Sequence, residues 1–265
     1  MQKQRVTRRL TAFAVGVVTA LAATVAPVGA ADHSDSMAEG SNGWEVDPVF
    51  TVGETVSGYA PPGVIDGLGA FELDDDTVRV LANHELLNFR GYPYEVGDGS
   101  GGTFTMTGAR ISAFDIDKDS RQVTAAGPAY DAVYDANGEI ATDPSFLAND
   151  FAGFSRFCSA SLFEAHEFGR GRGLEDRIFF TGEEDGGGFN SVGGAEWALD
   201  PATGTLWALP DLGRGGWENI TVLDSGRSDT IAIMLADDTS PFDFDGDGET
   251  EAAPLYLYVG KKDPN

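Results

Sequence analysis

Acidic residues stand at the ends of several short apolar runs that lie far apart in the sequence. They are Glu85 after "VLANH", Glu183 and Glu184 after "FFTG", Glu218 in "GGWEN", and Asp237 and Asp238 after "IMLA". Because strand ends gather around one axis or rim in a propeller or barrel, these carboxylates can converge into a cage of oxygen ligands. Such a cage suits Ca²⁺ and Fe³⁺ better than Mg²⁺, which keeps more of its water.

The stretch "GEED" at residues 182–185 concentrates this charge. Its neighbouring carboxylates, Glu183, Glu184 and Asp185, repel one another. The stretch is therefore either a solvated turn or a place where a cation compensates the charge. Both interpretations apply to each acid above, because acids at strand ends are ordinary turn residues in a protein this acidic.

Cys158, in "SRFCSASL", is the one cysteine of the chain. A lone cysteine is usually a small buried hydrophobic residue. The functional interpretation is a thiolate ligand of a transition metal, which requires an electropositive environment that keeps the sulfur deprotonated.

A second acidic pattern lies at "DFDGDGETE", residues 243–251. Asp243, Asp245 and Asp247 have the spacing of the first half of a calcium loop. The twelfth position of an EF-hand would be Glu, but here it is Pro254, and no flanking helices are predicted. A solvated acidic loop and a Ca²⁺ loop outside an EF-hand are the two interpretations.

Short β-like runs broken by Gly, Asp, Asn and Pro follow from Trp44 onward, which predicts an all-β sandwich, barrel or propeller. The predicted strands are 77–83, 109–117, 177–182, 194–200, 204–210, 220–224, 230–237 and 254–260. The clearest hairpin surrounds "DPATG" at 200–204, and one short helix is predicted over 144–157. We treat residues 44–265 as one β domain that follows a flexible lead-in at 31–43.

The first thirty residues have the pattern of an export signal. A basic segment precedes the apolar run 10–26, and Val28 and Ala30 are the small residues before the expected cleavage. The run "TRRLTAF" is compatible with a twin-arginine signal and with an ordinary secretory signal. No later segment approaches the roughly 18 apolar residues of a membrane span, so we expect an exported domain without a membrane anchor after cleavage.

The charge balance excludes some partners. The formal net charge is −26, and without Lys3, Arg5, Arg8 and Arg9 of the signal it is −30, with 13 basic against 43 acidic residues. Such a surface repels nucleic acid and anionic lipid and attracts cations, and it is also a solubility adaptation to a salty medium. Since a single cysteine forms no internal disulfide, stability must come from packing or bound metal.

The order of these segments resembles that of the PhoX-type alkaline phosphatases, which are exported, metal-dependent phosphomonoesterases built as β-propellers. The matching residues are "NHE" at 83–85, "RFCSAS" at 156–161, "TGEED" at 181–185, "GAEWALDPATGTLWALPDLGRGGWEN" at 194–219, and "IMLADD" to "LYLYVG" within 233–260. The resemblance is carried by this ordered combination rather than by any one tripeptide.

The resemblance implies a ferric pair with calcium ions, held by acids and one cysteine. Position by position, it implies Glu85, Cys158, Glu183, Glu218 and Asp238 as ligands, with Glu184 and Asp237 as adjacent alternatives. It assigns no catalytic residue and no phosphate-binding cation, although Arg156 and Arg214 lie beside the metal segments. The implied activity is hydrolysis of small phosphate esters. The alternative is a calcium-stabilised propeller that serves as a binding module or as a lactonase-like hydrolase.

The last strand-like run is followed at once by turn residues, Asp263, Pro264 and Asn265. Turn residues normally lead the chain into another element, and the members of the family continue further. We therefore expect a truncated propeller that lacks C-terminal blades and has a partial metal site. Such a chain is expected to be prone to aggregation and nearly inactive.

Overall fold

The computed structural model describes residues 38–44, 46, 48–147, 152–184, 194–238, 240–241, 243, 246–250 and 255–262. All of them belong to one compact unit, His33–Asn265. The predicted signal peptide, the lead-in up to residue 37, Asp185, Asp245 and the final turn residues lie outside the described residues. None of the helices in the described ranges has the length and apolar character needed to span a bilayer.

Strands make up almost all of the regular structure, so the predicted all-β class is confirmed. They are β1 Ile65–Glu72, β2 Thr77–His84, β3 Tyr94–Gly97, β4 Thr103–Gly108, β5 Arg110–Asp117, β6 Val123–Pro128, β7 Ala132–Tyr134, β8 Gly153–Phe154, β9 Phe157–Phe163, β10 Ile178–Glu183, β11 Gly194–Asp200, β12 Thr205–Ala208, β13 Arg214–Gly215, β14 Trp217–Leu223, β15 Thr230–Asp237 and β16 Leu255–Lys261. Two short 3-10 helices lie at Pro144–Phe146 and Pro210–Leu212.

The strands form four sheets. Sheet I has the order β1-β2-β5-β6, sheet II the order β7-β12-β11-β10-β9 with β13 paired to β11, sheet III the order β14-β15-β16, and sheet IV the order β3-β4-β8. Pairing is antiparallel except between β7 and β12 and between β4 and β8. Within the described residues these sheets do not close into a barrel or a ring.

The hairpin predicted around "DPATG" is confirmed. It joins β11 to β12, with Asp200 paired to Thr205. The Asp200 carboxylate accepts the backbone N–H of Ala202 at 2.8 Å and the hydroxyl of Thr203 at 2.8 Å. An Asp side chain that bonds its own backbone two residues on is the local chemistry that makes such a turn.

The helix predicted over 144–157 is wrong. Its first turn is the 3-10 helix Pro144–Phe146, and strand β8 and the start of β9 occupy its other end, while residues 148–151 lie outside the described residues. The phenylalanines serve an aromatic cluster instead, since the ring of Phe154 lies 4.9 Å from those of Phe157 and Trp197. Tertiary packing thus overrides a helix-like spacing.

Sheet II is buried on both faces, which explains the nearly continuous apolar runs of β10 and β11. Phe179 and Trp197 pack into a core shared with sheets I and IV. Their neighbours Phe180 and Ala198 point to the other side, into a second core shared with sheet III. Sheet II is therefore the central layer of the described structure.

Two glycines allow neighbouring sheets to approach sheet II closely. A Cβ at Gly67 of β1 would lie 2.2 Å from the backbone N of Ala160 in β9. A Cβ at Gly182 of β10 would lie 2.5 Å from the Cβ of Trp217 in β14. Since real Cβ atoms do not approach so closely, only glycine fits at these contacts.

We predict that Gly67→Ala lowers the free energy of unfolding by about 3 kcal/mol or more, because β1 must move away from β9. Thermal and urea unfolding measure the change. Gly127→Ala is the matched control, since a Cβ at Gly127 of β6 would meet no atom within 4 Å. Equal stability of the two variants would contradict the close approach.

Glu196 of β11 is a buried carboxylic acid inside this packing. It is fully shielded from solvent, and neither carboxylate oxygen has a hydrogen-bond partner within the described residues. Burial raises the pKa of Glu196 to about 8. The side chain is therefore protonated at neutral pH, and ionisation works against folding.

The Glu196→Gln variant is expected to lose part of the pH dependence of stability. The stabilisation linked to protonated Glu196 is complete below the unfolded pKa of 4.5 and is lost as the pH rises through about 8. The stability of the variant relative to wild type should thus increase from pH 5 to pH 8, on the order of 3 kcal/mol, and then level off. Unfolding temperatures across this range test it, with the exposed Glu139→Gln as control. Parallel profiles for wild type and Glu196→Gln would disprove it.

Candidate metal centre

Three edge strands meet at one place in the fold. β1 is an edge of sheet I, β9 an edge of sheet II and β14 an edge of sheet III, and β9 contacts both of the others. Residues carried by these strands can therefore converge although they lie far apart in the sequence.

Each of these edge strands has a β-bulge at the meeting point. In β1 the bulge contains Asp66 and Gly67, between the pairs formed by Ile65 and Leu68. In β9 it contains Cys158 and Ser159, between the pairs formed by Phe157 and Ala160. In β14 the extra residue is Glu218, between the pairs formed by Trp217 and Asn219. A bulge redirects side chains out of the regular alternation, and here it redirects two carboxylates and the thiol.

Two side chains link the bulges. The Nδ2 of Asn83 donates to the backbone oxygens of Cys158 at 2.6 Å and Ser159 at 3.3 Å, and to Oγ1 of Thr181 at 2.7 Å. The hydroxyl of Ser159 donates to the backbone oxygen of Glu218. Because these groups are buried or half-buried, their hydrogen bonds fix the bulges relative to one another.

Potential ligand atoms gather around Cys158 in two groups. The first consists of Asp66, Glu85 and Cys158, and the second of Cys158, Glu184 and Glu218; within each group the atoms lie within 4.8 Å of one another. The thiol donates to Oε2 of Glu218 at 3.1 Å and lies 3.5 Å from Oδ2 of Asp66. We call these five residues the Cys158 cluster.

The electrostatics of the Cys158 cluster favour a cation. Burial raises the pKa of the Cys158 thiol, and Glu218, Asp66 and Glu184 raise it further. Burial also raises the pKa of Glu184, and the charges of Glu218 and Glu85 act in the same direction. A bound cation would reverse both effects, because it favours the thiolate and the ionised carboxylates.

The donor set fits a metal ion. Carboxylates are ligands of Ca²⁺ and Fe³⁺, and a thiolate adds affinity for a transition metal. The amide oxygen of Asn83, directly beside the β9 bulge, is buried and has no hydrogen-bond partner within the described residues. A buried orphan acceptor is usually explained by a water or ion at that place.

Glu183, predicted as a ligand, lies outside the two donor groups. Its carboxylate accepts the backbone N–H of Ser155 at 3.0 Å, the backbone N–H of Ala195 at 3.2 Å and the indole N–H of Trp197 at 3.3 Å. These donors satisfy the oxygens of a buried side chain, so we infer that Glu183 ties the loop before β9 to sheet II.

Asp237 and Asp238, the last pair of predicted ligands, also lie outside the donor groups. Asp237 is buried at the end of β15, and its carboxylate accepts the backbone N–H of Gly216 at 3.3 Å. Asp238 is exposed, and its backbone N–H donates to the oxygen of Gly216 at 2.9 Å.

His84, beside Glu85, points away from the cluster. Its Nε2 lies 2.7 Å from the hydroxyl of Ser112, and its Nδ1 lies 3.0 Å from the backbone oxygen of Gly63. Burial lowers the pKa of His84 to about 4. The imidazole is therefore neutral at physiological pH and structural.

The possible calcium loop lies apart from the cluster in the sequence, and Asp245 lies outside the described residues. Asp243 accepts the backbone N–H groups of Gly246 at 2.6 Å and Gly248 at 2.9 Å. Asp247 accepts the N–H of Glu249 at 2.8 Å. These are the bonds of an acidic turn, and the calcium interpretation stays a prediction.

Sequence reasoning missed Asp66. It lies in "VIDGLG", where the Asp-Gly pair breaks a run of apolar residues. Such a break inside a strand-like run is a known sign of a bulge, and it is the signal that could have found this residue.

Comparison of the chain with protein-family models, with curated proteins and with solved structures found no match. The geometry of the site and the sequence resemblance are therefore the two observations that bear on function.

We predict that Glu183→Gln destabilises the fold by about 2 kcal/mol and leaves metal binding per folded molecule unchanged. The amide cannot replace both carboxylate oxygens as acceptors for three N–H donors. Unfolding temperature and Ca²⁺ titration measure the two effects, and the exposed Asp238→Asn should change neither. Loss of metal from a folded Glu183→Gln protein would instead make Glu183 a ligand.

Proposed function

We propose that this chain is a metal-dependent phosphomonoesterase that hydrolyses small phosphate esters at the Cys158 cluster, with iron and calcium as its metal ions. The observation that carries the proposal is the convergence of Asp66, Glu85, Cys158, Glu184 and Glu218 from separate segments onto one point. All of these residues except Asp66 lie in segments that resemble the alkaline phosphatase family.

The residues of the cluster have distinct roles in this proposal. Asp66 and Glu85 would hold one cation beside the sulfur of Cys158, and Glu184 and Glu218 would hold a second. Asn83 and Ser159 hold the bulges in place through backbone oxygens. When bound, metal ions bind phosphate oxygens and neutralise the charge that develops in the transition state.

The overall charge of the protein supports a requirement for cations. An anionic ester must approach a cluster of four carboxylates on a chain with a formal net charge of −26. Bound cations reverse the local potential and make that approach favourable.

We also propose that sheets I, II and III are consecutive blades of a β-propeller, as the resemblance implies. Each contributes an edge strand, β1, β9 or β14, to the place where the cluster forms. An experimental structure in which these strands do not surround a common axis would contradict this proposal.

Hydrolysis of p-nitrophenyl phosphate, with and without a chelator, tests the function. We expect slow but measurable hydrolysis, in keeping with the low activity expected from the sequence, that is lost with EDTA and restored by Ca²⁺ together with iron, and elemental analysis should find both metals. A folded, metal-loaded protein that does not hydrolyse the ester would disprove the phosphatase and favour a calcium-stabilised binding module.

Cys158→Ala and Glu85→Gln are expected to lower metal content and to reduce activity at least tenfold, while the β circular dichroism stays intact. Both side chains belong to the cluster rather than to the apolar cores, so their loss should act on the site. Exposed Glu139→Gln is the control. Full iron content and activity in Cys158→Ala would return Cys158 to the role of a buried hydrophobic residue.

A further inference from the structure

Arg156 is a positively charged side chain in direct contact with the Cys158 cluster. Its Nε donates to Oε1 of Glu85 at 2.9 Å, and its Nη2 lies 2.8 Å from the same oxygen. Nη2 also donates to Oε2 of Glu184 at 2.6 Å, and Nη1 donates to the backbone oxygen of Glu184 at 3.1 Å. The guanidinium therefore joins one carboxylate from each of the two donor groups.

The backbone of Arg156 is held in an unusual conformation. Its φ is +49°, in the left-handed region that non-glycine residues rarely adopt. The N–H of Arg156 donates to the oxygen of Leu86 at 2.7 Å, and the N–H of Glu184 donates to the oxygen of Arg156 at 3.0 Å. The same two segments that supply Glu85 and Glu184 thus fix the residue that bridges them.

A metal ion and this guanidinium would compete for the same two carboxylates, those of Glu85 and Glu184. Oε1 of Glu85 and Oε2 of Glu184 already accept short hydrogen bonds from Arg156. A divalent or trivalent cation bound there would lie a few ångströms from the guanidinium, and two positive charges at that distance repel each other. The Arg156 side chain is about one-third exposed, so it has room to leave.

We propose that Arg156 substitutes for metal in the metal-free protein and becomes the phosphate-binding residue when metal binds. In the first state it neutralises Glu85 and Glu184. In the second it is displaced toward solvent, where its planar fork of N–H donors matches the oxygens of a phosphate group. This inference rests on the proposed metal-dependent phosphatase.

The displacement lowers the apparent affinity for metal, because part of the binding free energy breaks the Arg156 ion pairs. Partly exposed ion pairs contribute little free energy, so removal of the guanidinium should tighten Ca²⁺ binding by about fivefold. Removal should also weaken the binding of inorganic phosphate to the metal-loaded protein by tenfold or more, since bonds to a charged donor are lost.

Calorimetric titration of the metal-free protein with Ca²⁺, followed by titration of the loaded protein with inorganic phosphate, tests both effects. We expect Arg156→Gln to bind Ca²⁺ more tightly and phosphate more weakly than wild type. Arg156→Lys should recover part of the phosphate affinity, because it keeps the charge without the fork. Arg79→Gln is the control: it removes a comparable ion pair, to Asp115 in sheet I, and should change neither affinity.

The Nε–H resonance of Arg156 reports the displacement directly. It should lose its protection from solvent exchange when Ca²⁺ is added and regain it when phosphate follows. Unchanged protection on Ca²⁺ binding, or equal Ca²⁺ and phosphate affinities in Arg156→Gln and wild type, would overturn the inference. These readouts need no turnover, so an inactive protein that binds Ca²⁺ disproves the phosphatase alone, whereas a wild type that binds no metal overturns both proposals.

Discussion

The close approach of bulged edge strands β1, β9 and β14 is the constraint on which the rest of the structure depends. Gly67 and Gly182 allow that approach, and Asn83 and Ser159 fix it with hydrogen bonds to the bulged backbones. The same contacts set the spacing of sheets I and III against the central sheet II. The two cores and the candidate site therefore have a common geometric origin.

Environment, rather than residue type, decides what each glutamate does. Glu183 accepts hydrogen bonds from N–H donors, and Glu184, the next residue, contributes to a cluster whose charge is only partly compensated by Arg156. Glu196, on the adjacent strand, has no such donors and stays protonated at neutral pH. Glu183 thus holds a loop, Glu184 offers a potential ligand atom, and Glu196 is buried in the protein interior.

The strand runs predicted from the sequence are all present, because alternation and turn residues are local properties, as the β11–β12 hairpin shows. The strands β1 and β9, which carry Asp66 and Cys158, were not predicted. The sequence also points to Glu85, Cys158, Glu184 and Glu218, which the structure brings together. It could not separate Glu184 from Glu183, because a bulge in the pairing of β9 and β10 decides which of them faces the sulfur. The helix prediction over 144–157 was wrong for a related reason. Phe154 packs against the ring of Trp197, which is distant in the sequence, and a local pattern does not show that contact.

The bulges have one more consequence, for the colloidal behaviour of the protein. A regular edge strand offers unpaired N–H and C=O groups to any other chain and so promotes intermolecular sheet extension. Natural sheets prevent this with bulges and with inward-pointing charges, and β1 and β14 carry both at Asp66 and Glu218. Asp66 and Glu218, which would hold a metal ion, therefore also protect these strand edges from cross-β association with other chains.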